Sequence, residues 1–265
     1  MLKDTEGLRL PLTALRSATV LIVLPPSEGK AALGDGPALD LPQLSFSSLN
    51  ASREIVLDSL GALCEGAEAQ VVLGLSPGQL GEIGKNQTLR TAPTLKAADL
   101  YTGVLYENLG LASLSHEASG RAAESLLIFS GLWGLLRITD RVPPYRLSMG
   151  VKLPSLGGLG SYWRRSITPV LDAEPGLVVD LRSSTYAAAW RPGDRAVTVR
   201  VLRDGKVVSH MAKATRGAIA RSLLEEGADP RTPGELAKIL DHLGHSVTLE
   251  PPPSGRGSWT LSVKV

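Results

Sequence analysis

Cysteine is almost missing from this chain. Cys64 is the one thiol in 265 residues, so no intramolecular disulfide can form. That economy fits a reducing compartment. Aromatic residues make up only 4% of the sequence, so the core must be built from Leu, Val, Ile and Ala. No apolar run approaches the roughly 18–20 residues a membrane-spanning helix needs. The first residues mix Leu, Arg and acids without a signal-peptide pattern, and a cytoplasmic location is expected. The four histidines are scattered. His242 and His245 are spaced i, i+3 but straddle Gly244, with no Cys or acid cluster beside them. No metal and no cofactor is therefore expected. The chain also lacks the G-x-x-x-x-G-K-[ST] phosphate loop and the G-x-S-x-G nucleophile elbow. Neither a repeat nor a Ser/Pro/Gly linker divides it. The expectation is a polar lead-in over residues 1–17 and a single domain over 18–265.

What is present is a foldable composition, 43% hydrophobic and 20% charged, with a net charge of +2 that is unevenly spread. From Asp40 to Ser130 ten acids face five bases, whereas from Gly131 to Arg221 six acids face fifteen bases. Such sign asymmetry suggests a basic face or cleft for phosphates.

The hydrophobic pattern predicts a mixed α/β (α+β) fold, with a mixed sheet and surrounding helices. Strands are predicted at Ala18–Leu24, Leu126–Phe129 and Gly176–Leu181. Ala196–Arg203 alternates, turns at Asp204-Gly205 and returns over Lys206–His210 as a hairpin. A final strand pair is predicted around Val247–Leu249 and Trp259–Val263. Helices are predicted at Ser52–Cys64, from Ser76-Pro77 to about Gly84–Asn86, and at Asp99–Leu109, weakened by Gly103. Two more follow at Ala212–Glu225 and Pro233–Leu243.

Five polar patches are candidates for chemistry. In Leu24–Lys30 (LPPSEGK), Ser27 and Lys30 follow a strand end, where free N–H groups and a lysine suit an anion. Leu100–Gly103 sets Tyr101 beside a glycine. Phe129–Gly150 reads as a structured loop, because its glycines and prolines oppose both helix and strand. It offers Arg137, Arg141 and Arg146 for planar, bidentate contact with phosphate or carboxylate. Asp140 would orient one of them, and Trp133 and Tyr145 would stack or pack on Arg. Asp180–Tyr186 places Arg182 and Ser183 after a strand. The stretch from Ser209 to Arg221 puts Lys213, Arg216 and Arg221 on a helix with small neighbours.

In this order, LPPSEGK (24–30), LYTGVLY (100–106), SGLWGLLRITDRVPPYRLSMG (130–150), VVDLRSSTY (178–186) and HMAKATRGAIAR (210–221) resemble the YaaA family of bacterial peroxide-stress proteins. The likeness runs from about Thr19 to the C-terminus. A Lys-Lys-Ala-Arg-Gly pattern seen in other members reads Lys213-Ala214-Thr215-Arg216-Gly217 here. The resemblance implies protection against hydrogen peroxide and iron-mediated DNA damage, an α/β unit with a basic cleft and a helix-hairpin-helix-like element, and binding to DNA.

Two functions follow as expectations. One is a DNA-binding stress protein, monomeric and without sequence preference, gripping phosphates through Ser27, Lys30, Arg137, Arg141, Tyr145, Arg146, Arg182, Ser183, Lys213, Arg216 and Arg221. The other is an enzyme on a nucleobase-containing or phosphorylated small molecule, with Lys30, Tyr101 and Asp140 as catalytic candidates. A wide groove would favour the first and a narrow pocket the second.

Overall fold

The LIVL run of β1 (Leu21–Leu24) is buried along its whole length. A strand that offers no polar face must be covered on both sides, and parallel pairing meets that need. β1 lies between two parallel partners, β2 (Leu126–Ser130) and β4 (Val178–Asp180). The computed structural model describes residues 20–208, 210–253 and 255–265. The predicted lead-in, Ala18, Thr19 and Ser209 lie outside the described residues.

The remaining strands are β3 (Gly134–Leu136), β5 (Ala196–Arg203), β6 (Lys206–Val207), β7 (Val247–Glu250) and β8 (Trp259–Lys264). They complete one mixed sheet in the order β7-β8-β5-β4-β1-β2-β3, with β6 paired to β5. β8, β5, β4, β1 and β2 run parallel. Antiparallel β3 and β7 close the two ends. The predicted mixed α/β class is what forms.

The Asp204-Gly205 hairpin forms with positive φ at both residues, 51° and 74°. That is the geometry an Asp-Gly turn favours. Its return strand is shorter than the sequence suggests and stops at Val207. Along β5, Val197, Val199 and Val201 are buried while Thr198, Arg200 and Leu202 are half-exposed, as the alternation requires.

The helices that frame the sheet are α1 (Asn50–Glu65), α2 (Gly81–Gln87), α3 (Val104–Leu109), α4 (His116–Ser125), α5 (Leu159–Asp172), α6 (His210–Glu226) and α7 (Pro233–His242). The helix predicted over Asp99–Leu109 is broken in two, Ala97–Leu100 and α3. Gly103 sits between them at φ 96°, where a side-chain-bearing residue would be strained. Ser76 and Gln79 form the capping box that starts the α2 region. α4 and α5 have weak signals in the sequence. α4 is only ten residues long, and α5 carries an internal Pro169.

Phe129–Gly150 is not loop throughout. Ser130 Oγ accepts from the N–H groups of Leu132 and Trp133, at 3.2 and 3.0 Å, and turns the chain back into β3. Further on, Arg141–Val142 pairs with Leu95–Lys96. Arg53 of α1 is fully buried and supports the turn from behind. It donates to the carbonyls of Trp133 (3.0 Å), Leu135 (2.7 Å) and Ser45 (2.9 Å). β3 is the end strand of the sheet, and Arg53 occupies carbonyls that no neighbouring strand would reach.

Parallel alignment brings the carboxyl ends of β1, β2, β4 and β5 to one edge. β1 leads onward to β2 on one side, while β4 lies on the other. The crevice beyond β1 is thus a topological switch point, the usual ligand position in open α/β sheets.

Candidate functional site

Pro25-Pro26 ends β1 and sends the chain across that crevice. Residues 29–31 then join the segment around Tyr101. Ala31 N–H donates to Leu100 O (2.9 Å), Thr102 N–H donates to Gly29 O (3.2 Å), and Lys30 and Tyr101 form a β-bridge. Gly103 also approaches this segment closely, since a Cβ there would sit 3.1 Å from Ser27 Oγ.

Lys30 is the centre of the site. Its Nζ donates to Ser27 O at 2.9 Å and lies 4.5 Å from the centroid of the Tyr145 ring and 5.8 Å from that of Tyr101. Glu82 is taken by Lys85 at 2.6 Å, and Glu28 stands 3.6 Å from Arg146. Among the described residues no carboxylate is within ion-pair distance of Lys30 Nζ. Burial, reinforced by the like charge of Arg146, pushes the ammonium down to about 8.

The tyrosines form a wall behind the lysine. Tyr145 Oη is 2.9 Å from Tyr101 Oη and 2.7 Å from Ser130 Oγ. Tyr101 stacks on Tyr106, whose hydroxyl donates to Pro25 O at 2.7 Å. Trp133 meets Tyr145 edge to face. Burial raises Tyr101, Tyr106 and Tyr145 well above the usual phenol range, so each stays a neutral donor.

Arg146 forms the opposite lip. Asn86 of α2 clamps its backbone in both directions, accepting from N–H at 2.9 Å and donating to the carbonyl at 2.8 Å. Its side chain is 18% exposed, whereas its partner Glu28 is 83% exposed. Glu28 is thus loosely held. Lys30, Arg146, Glu28, Gln79, Glu82 and Lys85 surround a cavity of about 200 Å³. This is smaller than the roughly 300–1,000 Å³ of drug-sized ligand pockets. It suits a small molecule or the terminal group of a larger one.

The predicted residues divide. Ser27, Lys30, Tyr101, Tyr145 and Arg146 come together here. The others have separate tasks. Asp140 is buried and accepts from Ser45 N–H, Ser45 Oγ and Arg137 N–H, each at 2.8 Å. It pins two loops together. Arg137 donates to the last carbonyls of α4, Ala123 and Glu124. Arg141 reaches Asp35 and Thr94. Arg182 is buried in a two-pronged pair with Asp180 (2.9 and 2.6 Å) and packs on the face of Phe129. Ser183 is the N-cap of the Ser184–Ala187 turn. Arg216 donates to Val199 O at 3.3 Å, and burial lowers its proton affinity. Arg221 donates to Leu109 and Gly110 carbonyls, closing the C-terminal end of α3. Lys213 is exposed on α6.

Sequence reasoning missed Arg53 and Asn86. Arg53 had a signal: it lies on the same helical stripe as Val56, Leu57 and Leu60, where a surface arginine does not belong. Asn86 had none, since its role depends on a partner sixty residues away. Among the described residues no group of three or more His, Cys, Asp or Glu could hold a metal ion, and no helix is long and apolar enough to cross a membrane.

The family model for peroxide stress protein YaaA matches residues 20–249. A UPF0246 protein of Streptomyces coelicolor is 54% identical over 256 residues, covering 93% of this chain and 98% of the relative. A UPF0246 protein of Corynebacterium efficiens is 42% identical over 240 residues, 87% of this chain and 95% of its own length. A more distant UPF0246 protein, of Idiomarina loihiensis, is 34% identical over 237 residues, covering 78% and 87% respectively.

Proposed function

The chain belongs to the YaaA family of peroxide stress proteins, and we propose that it acts through the Lys30 pocket on a phosphorylated small molecule or the phosphorylated end of a larger, nucleobase-containing one. The observation that carries this reading is the setting of Lys30 itself: a half-buried lysine with no carboxylate within ion-pair distance among the described residues, backed by tyrosine rings, with Arg146 across a small cavity. Generic contact with a phosphate backbone needs exposed cations and little burial. A half-buried lysine with a lowered proton affinity is the arrangement of a reactive or acid–base group. In this reading Arg146 takes the phosphate, Lys30 faces the reacting atom, and the hydroxyls of Tyr101 and Tyr145 remain protonated donors. Calorimetric titration with adenosine 5′-monophosphate tests it. Wild type should bind, and Lys30→Met and Arg146→Ala should each weaken binding by about tenfold or more, the loss of one charge-assisted contact. Equal binding by all three proteins would remove the pocket from the function.

A second reading, DNA binding, rests on a different group. Arg203, Lys206 and Lys213 are exposed around the β5–β6 turn and the start of α6. The carboxyl end of β5 lies on the same sheet edge as the Lys30 pocket. A strand running along that edge would meet these cations through its phosphates and present an end or an unpaired nucleotide to the pocket. Protection of DNA during peroxide stress would then join the two sites.

A further inference from the structure

We propose that Lys30 is an imine-forming nucleophile whose substrate is a small aldehyde or ketone carrying an anionic group. This rests on the pocket reading above and goes further, naming the functional group that reacts.

The geometry supports it in three ways. Among the described residues Lys30 Nζ has one hydrogen bond, to Ser27 O at 2.9 Å, which leaves the rest of the amine directed at aromatic faces and the cavity. An amine in a strong ion pair would have to break it before attack. Here the two nearby carboxylates, Glu82 and Glu28, are matched to Lys85 and Arg146. Second, every titratable group facing Lys30 is accounted for. Arg146 and Lys85 disfavour the ammonium, Glu82 and Glu28 favour it more weakly than burial opposes it, and the tyrosines are neutral. At neutral pH the free amine is on the order of a hundredfold more populated than in a solvated lysine. Third, Arg146 supplies a fixed cation beside the amine, its backbone held by Asn86. A carbonyl compound with a phosphate or carboxylate would be oriented by that cation. A neutral aldehyde would not.

The step balances without a co-reactant. The lone pair of the free amine attacks the carbonyl carbon, and the C=O π pair moves to oxygen. The nitrogen proton passes to that oxygen, giving a carbinolamine. A second proton transfer expels water and leaves the C=N bond. No oxidation state changes, and hydrolysis returns both partners.

Glycolaldehyde phosphate with sodium cyanoborohydride, read by peptide mass spectrometry of the full-length protein, tests the assignment. Lys30 should be trapped at least about tenfold faster than exposed Lys206, in line with the difference in free amine. The rate should climb with pH to a plateau above about 8. Glycolaldehyde, which lacks the phosphate, should be trapped more slowly at Lys30, and Arg146→Ala should erase that preference. Trapping of Lys30 no faster than Lys206 overturns the proposal. Equal trapping of the two aldehydes overturns its anionic part. Binding of adenosine 5′-monophosphate, measured separately, distinguishes the failures. If the nucleotide binds and depends on Arg146 but Lys30 is not trapped, the pocket reading stands and the imine is refuted. If neither occurs, both fall.

Discussion

A half-buried lysine with no carboxylate within ion-pair distance among the described residues is a local cost, and that cost gives the site a measurable signature. The proton affinity of Lys30 in the folded chain, about 8, is below that of an unfolded lysine, roughly 10.4. Below pH 8 both states are protonated and the folded state carries the full penalty, at most about 3 kcal/mol. Between the two values the unfolded state binds the extra proton, so stability relative to a neutral replacement rises with pH. Lys30→Met should therefore raise the melting temperature at pH 7, and the gain should shrink by pH 9.5. A constant difference would mean that Lys30 is solvated. Asp140 is the opposite case, a carboxylate whose value is its three donors. Asp140→Ala leaves those N–H and O–H groups unpaired next to buried Arg53 and should cost about 2–4 kcal/mol, seen as a lower urea midpoint with an unchanged slope. In the sequence both residues look alike, as polar groups inside motifs. Lys30 was legible as a strand-end lysine. The task of Asp140 was not, because Ser45 lies 95 residues from it in the chain.

At the scale of elements, the strands were legible wherever local signals agreed, as in the LIVL run, the alternation of Ala196–Arg203 and the Asp-Gly turn. β3 was hidden because it is set by the turn before it, fastened by Ser130 at Trp133 and by Trp163 at Gly131, and by Arg53 at Leu135 O, rather than by any preference of Gly-Leu-Leu. The helices α3 and α6 show how one small residue sets a packing distance. A Cβ on Gly217 would lie 2.2 Å from Leu105 O. Neither backbone can yield, so Gly217→Ala should separate the helices and destabilise by about 1–3 kcal/mol or more. Gly120, in the middle of α4, has nothing within 4 Å of its would-be Cβ. Gly120→Ala should instead stabilise by up to about 1 kcal/mol. Chemical denaturation of the two variants side by side separates close approach from mere helix propensity. If both shift the midpoint in the same direction, the close contact does not set the interface.

Over the whole molecule the basic half has a different meaning from the one its composition suggests. Its guanidinium groups are largely turned inward to hold chain ends. Arg137 serves α4 and Arg221 serves α3, while Arg164 donates to Ala188 O and Arg195 to Leu171 O. Charge counting recorded the sign of this segment correctly but had no way to see that arginine, with five donors in a planar fork, is also the residue best suited to binding several carbonyls at once. The cations left on the surface near the sheet edge are fewer, with Arg203, Lys206 and Lys213 at their centre. If DNA is a partner, the dependence of its affinity on salt should reflect those few contacts. Each phosphate contact adds about 0.7–0.9 to the slope of log affinity against log salt. Removing Lys206 and Lys213 together should therefore reduce the slope by about 1.5 and weaken binding equally on unrelated sequences. Arg221→Ala should leave the slope unchanged and lower the melting temperature, because its guanidinium is committed to the end of α3. Should Arg221→Ala flatten the slope while the two lysines leave it intact, DNA lies across α3 and α6, away from the Lys30 edge.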